Sequence, residues 1–169
     1  MLGAYNNFPE TVHRIENYAT SVSNRKLQQA LTETLQKLNN ETFDLETIAD
    51  PSIPQCKVSF ETGIAEADNF NYLDTEEAGK LLRIIQKEPL QTMDCLFVIR
   101  YHKMLKEKKT PLRFDYYILR FTFNENSMNT QIFHERGPRY MTLQDIMNLI
   151  AAKLNEKSTK NMLKALNSP

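Results

Sequence analysis

The sequence has no tryptophan, two cysteines, four glycines and no net charge over 169 residues. Each shortage removes a class of protein. Cys56 and Cys95 both fall inside strand-like stretches. They make neither a disulfide framework nor a zinc site, so a reducing intracellular compartment, cytoplasmic or nuclear, is expected. The glycines stand apart at 3, 63, 79 and 137, and no phosphate-cradling loop can be assembled from them. The longest apolar run covers residues 95–99, far below the ~20 that span a bilayer, so no membrane partner is expected. The first residues show no basic-then-apolar leader. No Cys-x-x-Cys, His-x-x-x-His or Gly-x-Ser-x-Gly spacing occurs, and the expectation is a chain with no cofactor, no metal and no catalytic residue.

What is present suffices for a packed domain. Nine Phe and seven Tyr stand in a chain that is 41% hydrophobic and 25% charged, ordinary globular values. The zero net charge hides a division. Residues 1–94 carry 8 Lys+Arg against 15 Asp+Glu, and residues 95–169 carry 13 against 6. Either the second half meets an anionic partner, or the halves pair with each other.

Residues 10–40 read as helix. Val12, Ile15, Ala19 and Val22 recur at three or four, then Leu27, Leu31, Leu35 and Leu38 at four, four and three. The five-residue step from Val22 to Leu27 shifts the stripe, so two helices or one kinked helix fit better than a heptad seam. These eight residues are the candidates for self-association, since an amphipathic helix must lay one face on something. Residues 39–55 mix Asn, Asp, Ser and two prolines, and 42–55 read as a connector with a short turn near 45–49.

From residue 56 the period changes to two. Cys56, Val58 and Phe60 alternate with polar residues, Gly63 permits a bend, and Phe70 and Tyr72 resume the pattern. Asp74 with Glu77 signals a helix start, Leu81, Leu82 and Ile85 its inner face, and Pro89 its end. Two long strands, 92–105 and 112–123, flank the polar turn "KEKKTP". In the second the apolar face changes near Tyr117, which predicts a bulge or a strand leaving one packing surface for another. A shorter strand at 130–134 follows. Thr142 and Asp145 then open a last helix with Ile146, Leu149, Ile150 and Leu154 inward, and Met162, Leu163 and Leu166 suggest a further amphipathic turn. The expected fold is α+β: an N-terminal helical segment (1–41), a connector (42–55), and a β-α-β-β-β-α sandwich over 56–169 with a mainly antiparallel sheet.

Chemistry is sparse. Asp94 with Glu107 and Lys108 is a poor nuclease set, because the lysine falls in a solvent turn far along the strand. Glu61, Glu66 and Asp68 near Gly63 form the alternative reading, a metal-dependent hydrolase. His134 has no partner legible in the sequence and is not read as a base. The denser feature is basic. Arg100, His102, Lys103, Lys106, Lys108, Lys109 and Arg113 crowd one hairpin beside Tyr101 and Phe114. Lysines there protect strand edges, or they contact phosphates. Arg136 and Arg139 flank Gly137-Pro138, a strand-to-helix turn suited to an anion or to bracing by a nearby acid. The expectation is a non-enzymatic interaction module, a subunit of a nucleic-acid-handling assembly. Its helices would dock a protein partner or a second copy, and its basic hairpin would face DNA or RNA. A structural adaptor without nucleic acid is the other binding-class reading.

Overall fold

The computed structural model describes residues 2–49, 56–105, 108–158 and 161–166, with side chains described outside 103–112. Eight strands form one sheet. They are β1 (Arg14–Thr20), β2 (Thr42–Asp44), β3 (Cys56–Glu66), β4 (Asn69–Tyr72), β5 (Thr92–Leu105), β6 (Lys108–Asn124), β7 (Ser127–Arg136) and β8 (Leu163–Ala165). The helices are α1 (Asn24–Leu38), α2 (Leu45–Ile48), α3 (Thr75–Lys87) and α4 (Leu143–Asn155). The sheet order is β2-β3-β5-β6-β7-β1-β8, with β4 also paired to β3, and every pairing between these strands is antiparallel. The fold is α+β.

The expected caps are in place. Asp74 accepts from the Glu77 amide at 2.9 Å, and Thr142 and Asp145 close a reciprocal capping box at the start of α4. Ile146, Leu149, Ile150 and Leu154 are buried in one cluster with Leu81, Ile85, Phe60, Phe97, Ile99 and Leu119. This cluster lies on the face of the sheet that the helices cover.

Residues 14–20 are not helical. They form β1, which lies between β7 and β8, with Arg14 opposite Ile132 and Thr20 opposite Leu163. The three-to-four spacing of Val12, Ile15, Ala19 and Val22 was matched by a period of two. Tyr18 points to the core while Ile15 is 54% exposed on the other face. β-Branched and aromatic residues (Val12, Ile15, Tyr18, Thr20, Val22) fit a pleated surface, and the hydrogen bonds offered by β7 decide the matter. The phase shift after Val22 marks a strand giving way to a helix: Ser23 is the N-cap of α1 and accepts from the Lys26 amide. Leu27, Leu31, Leu35 and Leu38 are buried in the chain's own core, where α1 packs on α3, β3 and α4. That stripe is therefore covered without a second copy. The amphipathic turn expected at 162–166 is likewise strand, β8, with Met162 and Leu163 buried and Leu166 outside.

Gly63 does not bend its strand either. β3 runs through it, and the Asn71 carbonyl oxygen of β4 would lie 3.1 Å from a Cβ at that position. The bulge expected in β6 near Tyr117 falls instead on its neighbour: Tyr116 faces Arg136 and Tyr117 faces His134, so the extra residue is Glu135 of β7, while β6 keeps Tyr117, Leu119 and Phe121 on one buried face.

β3 and β5 pair from Cys56 opposite Lys103 to Thr62 opposite Phe97. Beyond that point residues 2–6 fill the seam between them. The Gly3 amide donates to the Ala65 carbonyl at 2.7 Å, and the Asp94 amide donates to the Gly3 carbonyl at 2.6 Å. Gly3 has φ +104°, with the Leu90 side chain and the Thr92 carbonyl 3.0 Å from where a Cβ would stand. Only glycine accepts that backbone and that crowding.

Candidate nucleic-acid interface

Along β5, Phe97, Ile99 and Tyr101 enter the core, so Leu96, Val98, Arg100 and His102 take the opposite face. Cross-strand register sets their neighbours on β6: Arg100 lies opposite Phe114 and Val98 opposite Tyr116. Tyr116 in turn lies opposite Arg136 on β7. Val98 and Ile118, each 5% exposed, sit low among these taller side chains, whereas Phe114 is 40% exposed. The Phe114 and Tyr116 ring centroids are 6.4 Å apart. The Arg136 guanidinium lies 4.1 Å above the Tyr116 ring, a cation–π contact. Arg113, Phe114, Tyr116, Arg136, Gly137 and Pro138 line a shallow hollow of about 550 Å³.

Among the described residues no carboxylate forms an ion pair with Arg100, Arg113 or Arg136. Arg100 Nε is shielded from solvent without a hydrogen-bond partner. Arg136 thus pairs neither with Glu135 nor with an acid of the N-terminal half. The remaining basic candidates divide. His102 is nearly buried, its Nε2 lying 3.2 Å from Ser59 Oγ, so it presents little to an outside anion. Lys103, Lys108 and Lys109 occupy paired positions near the tip of the β5–β6 hairpin, and Lys106 lies outside the described residues.

Beneath the hollow lies an acid whose role the sequence hid. Asp115 is fully buried at the point where β6 meets the Gly137-Pro138 turn. Its Oδ2 accepts from the Tyr101 hydroxyl at 2.6 Å. Its Oδ1 lies 2.9 Å from His134 Nε2 and accepts from the Arg139 amide at 2.9 Å. The Tyr101 hydroxyl also accepts from the Met141 amide at 3.2 Å. Gly137 (φ +119°) presses on this carboxylate, where any Cβ would run into Asp115 and the Phe114 carbonyl. Arg139 adopts φ +57° to aim its amide at Asp115. Its charge acts on Tyr117 and His13 rather than on the Phe114–Tyr116 row.

Burial, followed by the hydrogen bond to Asp115 and its charge, pushes the Tyr101 hydroxyl far above its ordinary range; burial and Asp115 do the same to Tyr117. Both stay protonated and act as donors. His134 therefore has a partner after all, and Tyr101, Asp115 and His134 together hold the turn. A general base needs reach to a bound substrate, yet His134 is not among the residues that line the hollow. One sign was legible: an acid set in the aromatic run "RFDYYI" must find donors if that run is buried.

The acids near Gly63 do not converge. Glu66 faces Lys80 and Asn71, Asp68 accepts from Asn7, and Glu61 stands exposed beside Val98. Asp94 is buried against Arg120, which donates to both its oxygens at 2.8 Å, while the Tyr5 amide donates to Oδ2 at 2.7 Å. The charge of this pair is spent inside the fold. Among the described residues no three His, Cys, Asp or Glu stand together as a metal-binding group. Burial, and then Asp94, pushes the Cys95 thiol up out of the reactive range.

Compared with known protein families, with curated proteins and with solved structures, the chain finds no match.

Proposed function

We propose that this chain is a non-enzymatic module that holds nucleic acid on the face of its sheet opposite the helices, as a subunit of a nucleic-acid-handling assembly. One observation carries the reading: Arg100 and Arg136, neither ion-paired within the described chain, flank Phe114 and Tyr116 on that face, and Arg113, also without an acid among the described residues, lines the same hollow. Arg120, by contrast, is neutralised by Asp94 within the fold. Cations left without acids beside aromatic rings match the chemistry of phosphates and bases together. The lysines of the hairpin tip extend the same charge along the sequence.

The double variant Arg113→Ala/Arg136→Ala tests this. Titration of a labelled oligonucleotide from about 50 to about 200 mM salt should show weaker binding, with a salt slope shallower by roughly 0.7–0.9 per lost contact. Thermal melting should be close to that of the parent, because both side chains lie outside the core. Absence of binding by the parent at the lowest salt would sink the reading.

A further inference from the structure

Resting on that reading, we infer that the nucleic acid is single-stranded and that a base stacks on Phe114. The rings decide the form of the ligand. One face of Tyr116 is already occupied by the Arg136 guanidinium at 4.1 Å. Phe114, 40% exposed and one strand away from Arg100, is the platform left open. Beside it the hollow of about 550 Å³ falls within the roughly 300–1,000 Å³ of ordinary ligand pockets. The planar guanidinium of Arg136, its carbon 4.1 Å from the centre of the Tyr116 ring, offers a second stacking surface at the edge of the same hollow.

A duplex uses none of this. Its bases are stacked on one another, and it is read by elements that enter a groove, such as a helix or a two-stranded ribbon. Here the exposed aromatic side chain stands on a face made by β6, β5 and β3, for Phe114 lies opposite Arg100 and Arg100 opposite Ser59, and β7 joins two residues on, at Tyr116. A broad sheet face cannot enter a groove of about 12 Å. A splayed single strand can instead lay its bases on the rings and its phosphates along Arg100, Arg113 and Arg136. Every base has a π-face, so such binding is tolerant of sequence.

The experiment uses the full chain and a labelled oligothymidine of about 12 nucleotides, within the usual span of single-strand sites. It is compared with the same strand annealed to its complement, and with oligouridine and oligodeoxyuridine of equal length. The single strand should bind roughly ten-fold or more tightly than the duplex, and Phe114→Ala should weaken single-strand binding by roughly ten-fold while leaving the duplex value unchanged. Oligouridine read against oligodeoxyuridine, which shares its base and differs only at the 2′ carbon, assigns the sugar: tighter binding of the former makes the strand RNA, and weaker binding makes it DNA. Phe114→Trp should keep the affinity, and its indole, in a chain with no other tryptophan, should be quenched by the single strand. A duplex bound as tightly as the single strand, or an unquenched indole at saturation, overturns the inference. The cationic face survives that result if Arg113→Ala/Arg136→Ala still weakens binding. If neither form binds the parent at low salt, both this inference and the proposed function fall.

Discussion

Asp115 Oδ1 lies 2.9 Å from His134 Nε2, an imidazole on the neighbouring strand that the linear sequence places 19 residues away. The same oxygen receives the Arg139 amide, so one buried carboxylate fixes both arms of the turn that carries Arg136. Orientation of the cationic face is thus set from inside the protein, by a group that does not itself reach the surface.

Gly137 and Gly79 should respond to alanine with opposite signs. Gly137→Ala sets a Cβ against Asp115 and the Phe114 carbonyl at φ +119°, and should cost about 3 kcal/mol. Gly79 is inside α3, where a Cβ meets only the end of Arg83 at 3.4 Å. Gly79→Ala should therefore gain about 0.5–1 kcal/mol in helix propensity. Urea midpoints of the two variants check both.

Arg120→Met should destabilise by about 3–5 kcal/mol, since it leaves Asp94 buried with only the Tyr5 amide as donor. Adding Asp94→Asn should restore part of the loss, because the stranded charge is gone. A double-mutant cycle that shows simple additivity would rule out this coupling.

His13 should titrate below its ordinary 6.5. Loss of hydration against its neighbours, then the charge of Arg139 and repulsion from His134, disfavour its cation, and its Nδ1 accepts from the His134 amide. The folded state prefers the neutral ring, so the associated stability is complete above pH 6.5 and is lost as pH falls below it. NMR titration of the imidazole should give the lowered midpoint, and Arg139→Ala should move it upward.

β1 as an inner strand makes two further demands. Tyr18→Ala should cost about 3–5 kcal/mol, while Ile15→Ala, on the open face, should change stability by less than about 1 kcal/mol. Removing residues 1–23 should abolish cooperative unfolding, since it would part β7 from β8. A sharp melting transition in that truncated chain would contradict the sheet order.

The sequence disclosed elements whose signals are local. Asp74 and Thr142 announce α3 and α4 because capping is settled within four residues. The apolar pattern near Tyr117 marked the place of a register shift but put the bulge on β6, whereas the extra residue is Glu135 of β7. β1 escaped because Ile15, Ala19 and Val22 satisfy a helical spacing by accident, and because the hydrogen bonds that make it a strand come from residues 127–132 and 163–165. The candidate site was half legible. Arg100, Arg113 and Arg136 are visible as charge, but only the register of β5, β6 and β7 brings them to Phe114 and Tyr116. His134 looked solitary because Asp115 belongs to another strand.

The seam closed by residues 2–6 sets a timetable for synthesis. Those residues are made well before their partners, for Gly3 bonds to Ala65 and Asp94, and Tyr5 to the Asp94 carboxylate. At about 5–20 residues per second, roughly 5–20 s pass before their partners exist. β1 waits longer still, for β7 and then β8. Through that interval Phe8 and Tyr18 have no sheet to cover them, so this early-made segment is the one most exposed to capture by chaperones.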